Sequence, residues 1–300
     1  MTPLRQAWVY DDRVLGDFIQ AGRHVFPEPV DPAAAAELLA EIRAQRAFDE
    51  TLFPSQAAFD ADPSPRRNLL DRFEDRLGFV ERAPQLVEAL SGLLGDDYRI
   101  ADRRIVCSLP ERAVPAWVKA RLDGGPLGDL DAFVQPQFRD ATYVCGADFR
   151  QDLAEGPDGG PDGGPDVITL WVGLQPVGRE DAPVHLLDGS HALGATAFPH
   201  DLRTDGPGHW IYGDRRGQER LLRQEALTGP AGHAVLWHAC ALHGAPPAAD
   251  QAQFALRYRL ARGGVASVGV DVVNASLRGP LRLTETAGAR PAQDRIAKAG

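Results

Sequence analysis

The chain has 300 residues, of which 44% are hydrophobic and 25% charged, and its formal net charge is −10. These values are typical of a globular protein that can bury a core of useful size. The negative charge argues against nucleic acid or an anionic membrane as a partner, because both attract a basic protein face. No uncharged apolar run approaches the roughly 18 residues that a bilayer-spanning segment requires, so we expect no membrane partner.

The three cysteines, Cys107, Cys145 and Cys240, are widely spaced and form no CxxC pair. This spacing argues against a zinc ribbon and against a disulfide framework. We therefore expect a protein of the reducing cytoplasm.

The N-terminal half is predicted to be mainly helical. Asp31 caps a helix that starts at Pro32, and a second helix runs over residues 84–94 until Gly95 ends it. The remaining predicted elements are a small helix that closes at Gly22, an edge strand at 23–26, a loop at 52–68, a strand at 98–109, and an irregular segment at 110–139 with one short helix near Trp117.

From residue 142 onward the pattern is typical of β-strands. The predicted strands are rich in β-branched and aromatic residues and lie at 142–145, 167–177, 184–187, 234–238 and 254–261. A Gly-Pro-Asp repeat at 155–166 fits neither helix nor strand and predicts a mobile loop beside the site. Residues 281–300 are predicted to be a flexible tail.

These elements predict one α+β domain over residues 1–300. A mostly helical flanking layer at 1–139 is expected to pack against an antiparallel β core at 140–262 that forms a sandwich or barrel.

Five segments carry the functional signal. They are Asp148-Phe-Arg-Gln-Asp-Leu153, Trp171-Val-Gly-Leu-Gln-Pro-Val177, Ala182-Pro-Val-His-Leu-Leu-Asp-Gly-Ser-His191, Leu236-Trp-His-Ala-Cys-Ala-Leu-His-Gly-Ala245 and Gln253-Phe-Ala-Leu-Arg-Tyr258. In this order and spacing they resemble the phytanoyl-CoA dioxygenase-type family of Fe(II)- and 2-oxoglutarate-dependent oxygenases. The resemblance implies a double-stranded β-helix (jelly-roll, cupin-like) core, a small-molecule substrate and, in typical members, hydroxylation.

The resemblance places the family's three metal ligands, two histidines and one carboxylate, at Arg150, Asp152 and His243. Asp152 and His243 are retained, but an arginine has no lone pair to give to a metal and stays protonated. The family's co-substrate arginine falls on Gln253, which can hydrogen-bond a carboxylate but brings no charge. Arg257, four residues along the same strand face, is an alternative cofactor-binding residue.

A cation at position 150 is expected to repel a metal and to pair with Asp152. We therefore expect neither Fe(II) nor 2-oxoglutarate at this site, with Asp152 and His243 as the ligands if any metal binds. Three interpretations stay open: an inert Arg150–Asp152 pair, an arginine that binds a substrate carboxylate or an oxyanion beside an acid–base pair, and a rebuilt metal site. The histidines available for such a rebuilt site are His185, His191, His233 and His238.

The sequence thus predicts a small-molecule enzyme that works by metal-independent acid–base chemistry, with Asp152, His243 and Arg150 as catalytic residues. Its substrate or ligand is expected to be a small molecule that can carry a carboxylate. Two alternatives are a non-catalytic ligand-binding protein and an Fe(II)/2-oxoglutarate-dependent hydroxylase with an altered site.

Overall fold

The computed structural model describes residues 12–61, 73–122, 128–154, 166–196, 200–214, 219–264 and 269–281. Its helices are α1 Asp12–Ala21, α2 Pro32–Gln45, α3 Gln56–Ala61, α4 Gly78–Glu81, α5 Pro84–Leu94, α6 Ala116–Arg121 and α7 Gly269–Ser276. Its strands are β1 Arg23–Phe26, β2 Arg99–Ser108, β3 Gly128–Asp129, β4 Thr142–Cys145, β5 Ala147–Arg150, β6 Val167–Gly173, β7 His185–Asp188, β8 Leu202–Thr204, β9 His209–Gly213, β10 Glu219–Ala226, β11 Ala234–His238, β12 His243–Ala245 and β13 Gln253–Ala261.

Within the described residues the strands form two sheets. The larger sheet has the order β1-β11-β6-β13-β2-β4-β3, and the smaller one has the order β5-β12-β7-β10-β9-β8. Most neighbouring strands are antiparallel, and β2 and β4 are parallel. The strands β4 to β7, and again β10 to β13, alternate between the two sheets, which is typical of a jelly-roll core. The predicted fold class, a mainly β core with flanking N-terminal helices, is confirmed.

The strand β13 separates the helical layer from the space between the sheets. Its even-numbered residues, from Phe254 to Leu260, belong to the main hydrophobic core together with Leu38 and Ile42 of α2 and Leu90 of α5. Because side chains alternate along a strand, Gln253, Arg257 and the other odd-numbered residues face the opposite way, into the β core. This alternation puts the polar side chains of β13 where a site can form.

Helix ends follow the predicted local chemistry. The Asp31 side chain accepts a hydrogen bond from the backbone N–H of Ala33, and Pro32 is the first residue of α2. The helix α5 runs from Pro84 to Leu94, as predicted, and Gly95 follows with φ 91°.

Some predicted elements differ from the structure. The predicted loop at 52–68 contains the short helix α3, and the strand predicted at 167–177 ends at Gly173, before Pro176, which has no N–H to give to a sheet. The strands β8, β9, β10 and β12 and the helix α7 were not predicted from the sequence. The Gly-Pro-Asp repeat up to residue 165 and the tail from residue 282 lie outside the described residues.

None of the helices in the described ranges combines the length and the apolar character needed to cross a bilayer.

A buried ion pair joins the helical layer to the β core. Arg46, the residue after α2, pairs with the carboxylate of Asp140 just before β4, and the two side chains are 2% and 1% exposed. Arg46 also donates to the backbone carbonyl of Phe138 and to the hydroxyl of Tyr143, each at 2.9 Å. The guanidinium therefore fixes the position at which the chain enters β4, the strand that leads to the candidate site.

We expect Asp140→Ala to lower the free energy of unfolding by about 3–5 kcal/mol, because it leaves the Arg46 cation buried without its counter-charge. Urea denaturation measures the change. The control is Asp250→Ala, which removes the partner of the exposed Arg112 (side-chain exposure 87% and 64%) and should cost about 0–1 kcal/mol. Equal losses in the two variants would contradict this role of Arg46.

Candidate functional site

A glycine lets the chain pass from one sheet to the other at the start of the site. Gly146 lies between β4 of the larger sheet and β5 of the smaller sheet, and its φ of 73° is a left-handed value that favours glycine. The strand β5 ends at Arg150, and Asp152 begins a short 3-10 turn.

The distal histidine also follows a change of sheet. The strand β11 ends at His238, residues 239–242 form a turn, and β12 begins at His243 in the smaller sheet. The backbone N–H of Leu242 donates to the hydroxyl of Ser190 at 2.8 Å, which holds the turn. His238 and His243 therefore belong to different strands of different sheets.

The register of the smaller sheet brings Arg150 and His243 side by side. His243 lies opposite Arg150 of β5 on one side and opposite Leu186 of β7 on the other. Directly opposed residues of antiparallel strands have Cβ atoms about 4.5–5.5 Å apart. The structure thus brings together the residues that the sequence placed at the family's metal position.

The carboxylate of Asp152 is the most enclosed charge of the site, with no solvent exposure. Its Oδ2 atom accepts hydrogen bonds from the Thr169 hydroxyl at 2.6 Å and from the Trp237 indole N–H at 2.9 Å. Its Oδ1 atom lies 3.0 Å from Nη2 of Arg257 and 3.5 Å from Nε2 of His243. Both oxygen atoms are therefore engaged.

The backbone of Asp152 is held as firmly as its side chain. The N–H group donates to the carbonyl of Ala239 at 3.0 Å, and the carbonyl accepts from Nη2 of Arg259 at 3.1 Å. The preceding residue, Gln151, donates to the carbonyls of Gly194 and Cys240, each at 2.7 Å. Gln151 thus fixes the chain between Arg150 and Asp152, a role that sequence analysis missed.

Burial and charge act in opposite directions on the Asp152 carboxyl. Desolvation alone would raise its pKa, but His243, Arg257 and the hydrogen bond from Thr169 outweigh it and lower the pKa below the usual range of an aspartate. For His243, burial lowers the pKa, the Asp152 carboxylate raises it, and the charge of Arg150 lowers it again, so that the net shift is downward. Asp152 is therefore ionised, and the imidazole is mainly neutral near pH 7.

The arginine that pairs with Asp152 is Arg257, not Arg150 as the sequence suggested. Arg150 lies close enough to lower the pKa of Asp152 by its charge. Its buried Nε atom, however, has no hydrogen-bond partner, and no ion pair with a described residue includes its guanidinium. Arg257 reaches the carboxylate because Asp152 lies in a turn beyond the end of β5 and faces β13.

Gln253 lies at the start of β13, away from this network. Its side-chain oxygen accepts from Gln175 at 2.6 Å, and the oxygen of Gln175 accepts from Arg43 of α2 at 3.1 Å. Arg257 lies four positions after Gln253 along the strand, which corresponds to about 13 Å. Arg257, expected as a possible cofactor-binding residue, is instead the partner of Asp152.

The other histidines have separate surroundings. His185 contacts Gln224, His233 contacts the carbonyl of Pro230, and His238 contacts Asn274. His191 is 1% exposed and packs against Gly22, and its pKa is lowered to about 4 by burial. Within the described part of the chain, no group of three or more His, Cys, Asp or Glu side chains is placed to hold a metal.

Cys240 lies in the turn before His243 and is fully buried. Burial raises the pKa of its thiol to about 12. A thiol with so high a pKa is no nucleophile near neutral pH, so Cys240 serves as a small buried side chain.

The described residues do not fit the iron centre of the family. A facial site needs two histidines and one carboxylate, whereas this chain offers Asp152 and His243 beside a guanidinium that cannot ligate. The Oδ1 atom that would bind a metal is already paired with Arg257. The position expected for the co-substrate arginine holds the neutral Gln253.

Comparison with known protein families identifies the family to which this chain is similar. The family model described as "Phytanoyl-CoA dioxygenase (PhyH)" matches residues 18–251. None of the curated proteins matches the chain significantly.

Solved structures share the fold at low sequence identity. The epimerase SnoN from nogalamycin biosynthesis, in complex with Fe3+, alpha ketoglutarate and nogalamycin RO, has a TM-score of 0.51 and 16% identity over 93% of this chain and 92% of that chain. EvdO2 from Micromonospora carbonacea var. aurantiaca, complexed with 2-oxoglutarate, has a TM-score of 0.49 and 16% identity over 88% and 96%. The non-heme monooxygenase ThoJ, as a Ni complex, has a TM-score of 0.48 and 15% identity over 85% and 79%.

The family match covers more than half of the chain and agrees with the jelly-roll core and with the order of the site segments. This chain therefore belongs to the phytanoyl-CoA dioxygenase family, whose scaffold serves 2-oxoglutarate-dependent oxygenases and related enzymes.

Proposed function

We propose that this family member binds a small molecule through an anionic group at Arg150, and that it does so without iron or 2-oxoglutarate at the family's position. The observation that carries the proposal is the partly buried Arg150 guanidinium, whose Nε atom has no partner among the described residues. A buried N–H without an acceptor is unfavourable, and a ligand carboxylate would accept from it with a bidentate hydrogen-bond geometry.

The surroundings of Arg150 support a ligand site. The neighbouring His243 is mainly neutral near pH 7, so it adds no second positive charge beside Arg150. Trp237 packs its ring 5.2 Å from the His243 ring and 6.2 Å from the partly exposed Trp171. The partly exposed Trp171 ring would offer an apolar surface to the body of a ligand whose anionic end is bound by Arg150.

Acid–base catalysis by Asp152 and His243, which the sequence suggested first, has less support. Asp152 is fully buried, ionised and engaged at both oxygens, so it has no atom left for a substrate proton. The two ring nitrogens of His243 face the carbonyl of Ala241 at 3.2 Å and Oδ1 of Asp152 at 3.5 Å. Neither nitrogen is free to face a ligand, so a binding role suits the geometry better than proton transfer.

The cysteines are free and buried, which fits a reducing compartment. We therefore propose a cytoplasmic location.

Arg150→Met is expected to weaken the binding of small carboxylates about 10- to 100-fold, because a hydrogen bond to a charged group contributes about 1.5–3 kcal/mol. Isothermal titration with a panel of mono- and dicarboxylates, 2-oxoglutarate among them, measures the loss. The control is Arg203→Met, which removes an exposed arginine of β8 and should leave affinity unchanged. Equal affinity of wild type and Arg150→Met for every carboxylate that binds would contradict the proposal.

Asp152→Asn is expected to destabilise the fold by about 3–5 kcal/mol, because Arg257 then lacks its buried counter-charge. In the same protein, carboxylate affinity at Arg150 should stay within a few-fold of wild type. Chemical denaturation and titration measure the two effects, and Asp188→Asn, at a carboxylate 17% exposed, is the milder control. A stable Asp152→Asn protein that binds ligand but has lost conversion of it would favour the catalytic reading instead.

A further inference from the structure

The carboxylate of Asp152 is oriented by hydrogen bonds in the way that is usual for a metal-binding carboxylate. Thr169 and Trp237 hold its Oδ2 atom at 2.6 and 2.9 Å and thereby aim Oδ1 into the space beside His243. Groups that hydrogen-bond the second oxygen of a ligating carboxylate, or the second ring nitrogen of a ligating histidine, are the usual outer support of a metal site. His243 has such support as well, since its Nδ1 lies 3.2 Å from the carbonyl of Ala241.

The distance between the two atoms that would bind a metal agrees with this orientation. Oδ1 of Asp152 and Nε2 of His243 are 3.5 Å apart. Two adjacent ligands of an octahedral metal, each with a bond of about 2.1 Å, are about 3.0 Å apart. A small movement of either side chain would therefore bring both atoms onto one metal ion.

Arg257 uses the atom that a metal would need. Its Nη2 lies 3.0 Å from Oδ1 of Asp152, the same oxygen that faces His243. We infer that Arg257 replaces the metal as the counter-cation of Asp152, and that Arg257, more than Arg150, closes this position to a metal. The inference rests on that part of the proposed function which places no iron at Asp152 and His243.

The surroundings of Arg257 explain why the guanidinium stays in place. Arg257 is 7% exposed and lies on β13 between Trp171 of β6 and Arg104 of β2. Arg104 is itself a cation, paired with Asp102 at 2.8 Å, so movement of Arg257 toward it would bring like charges together. The carboxylate of Asp152, with Oδ1 at 3.0 Å from Nη2, attracts the guanidinium.

A metal site at Asp152 and His243 would therefore require two substitutions, at positions 150 and 257. Arg150→His would supply the missing third ligand, but Oδ1 would still be paired with a fixed positive charge. A metal should bind only when position 257 has also lost that charge. Gln253 does not enter the requirement, because it lies at the start of β13, four positions before Arg257.

The experiment compares four purified chains: wild type, Arg150→His, Arg150→His with Arg257→Gln, and Arg150→His with Arg257→Lys. Glutamine keeps a neutral donor for Asp152, whereas lysine keeps the charge, so the two double variants form a matched pair. The probe is Co(II), followed under anaerobic conditions by equilibrium dialysis and by its visible absorption, with circular dichroism as the test of folding.

The glutamine double variant should bind about one Co(II) per chain at least about 100-fold more tightly than Arg150→His or the lysine double variant. If it folds only when metal is present, the result also supports the inference, because metal then substitutes for Arg257. Tight binding by Arg150→His alone would overturn it. So would a glutamine double variant that binds no metal when folded, or that metal fails to fold. Tight stoichiometric binding by wild type would refute the proposed function itself.

Discussion

The contact between Asp152 and Arg257 is the interaction on which the rest of the site depends. A carboxylate without solvent exposure costs several kcal/mol to desolvate and needs a counter-charge close by. Arg257 supplies that charge from β13, while Thr169 of β6 and Trp237 of β11 satisfy the second oxygen. Because Asp152 follows β5 of the smaller sheet, this one side chain ties the end of that sheet to three strands of the larger one.

The exchange of a metal for an arginine has clear electrostatic consequences. A dication and a guanidinium about 4 Å apart repel each other by roughly 8 kcal/mol at an effective dielectric constant of 20, so the two cannot share Oδ1 of Asp152. A metal also offers open coordination positions to a ligand, whereas the Arg257 guanidinium donates to the Asp152 carboxylate. Under the proposed function, the anionic group of a ligand binds at Arg150, whose Nε atom has no partner within the described residues.

Much of the fold could be predicted from the sequence. The capped helix at Pro32, the helix from Pro84 to Leu94 and the strand from Ala234 to His238 have local signals that the structure follows closely. The convergence of Arg150 and His243 was also foreseen, through the resemblance of ordered segments to the family.

The partner of Asp152 could not be predicted in the same way. Strand alternation placed Arg257 on the correct face, but Asp152 lies beyond the end of its strand, where the direction of a side chain depends on the turn. The break between His238 and His243 likewise depends on a tertiary contact, the hydrogen bond from Leu242 to Ser190.

Anomalous diffraction at the iron edge, from wild-type crystals grown anaerobically with Fe(II) and 2-oxoglutarate, tests the central claim most directly. We predict no iron peak at Asp152 and a direct Arg257–Asp152 contact; an iron peak between Asp152 and His243 with Arg257 displaced would contradict it.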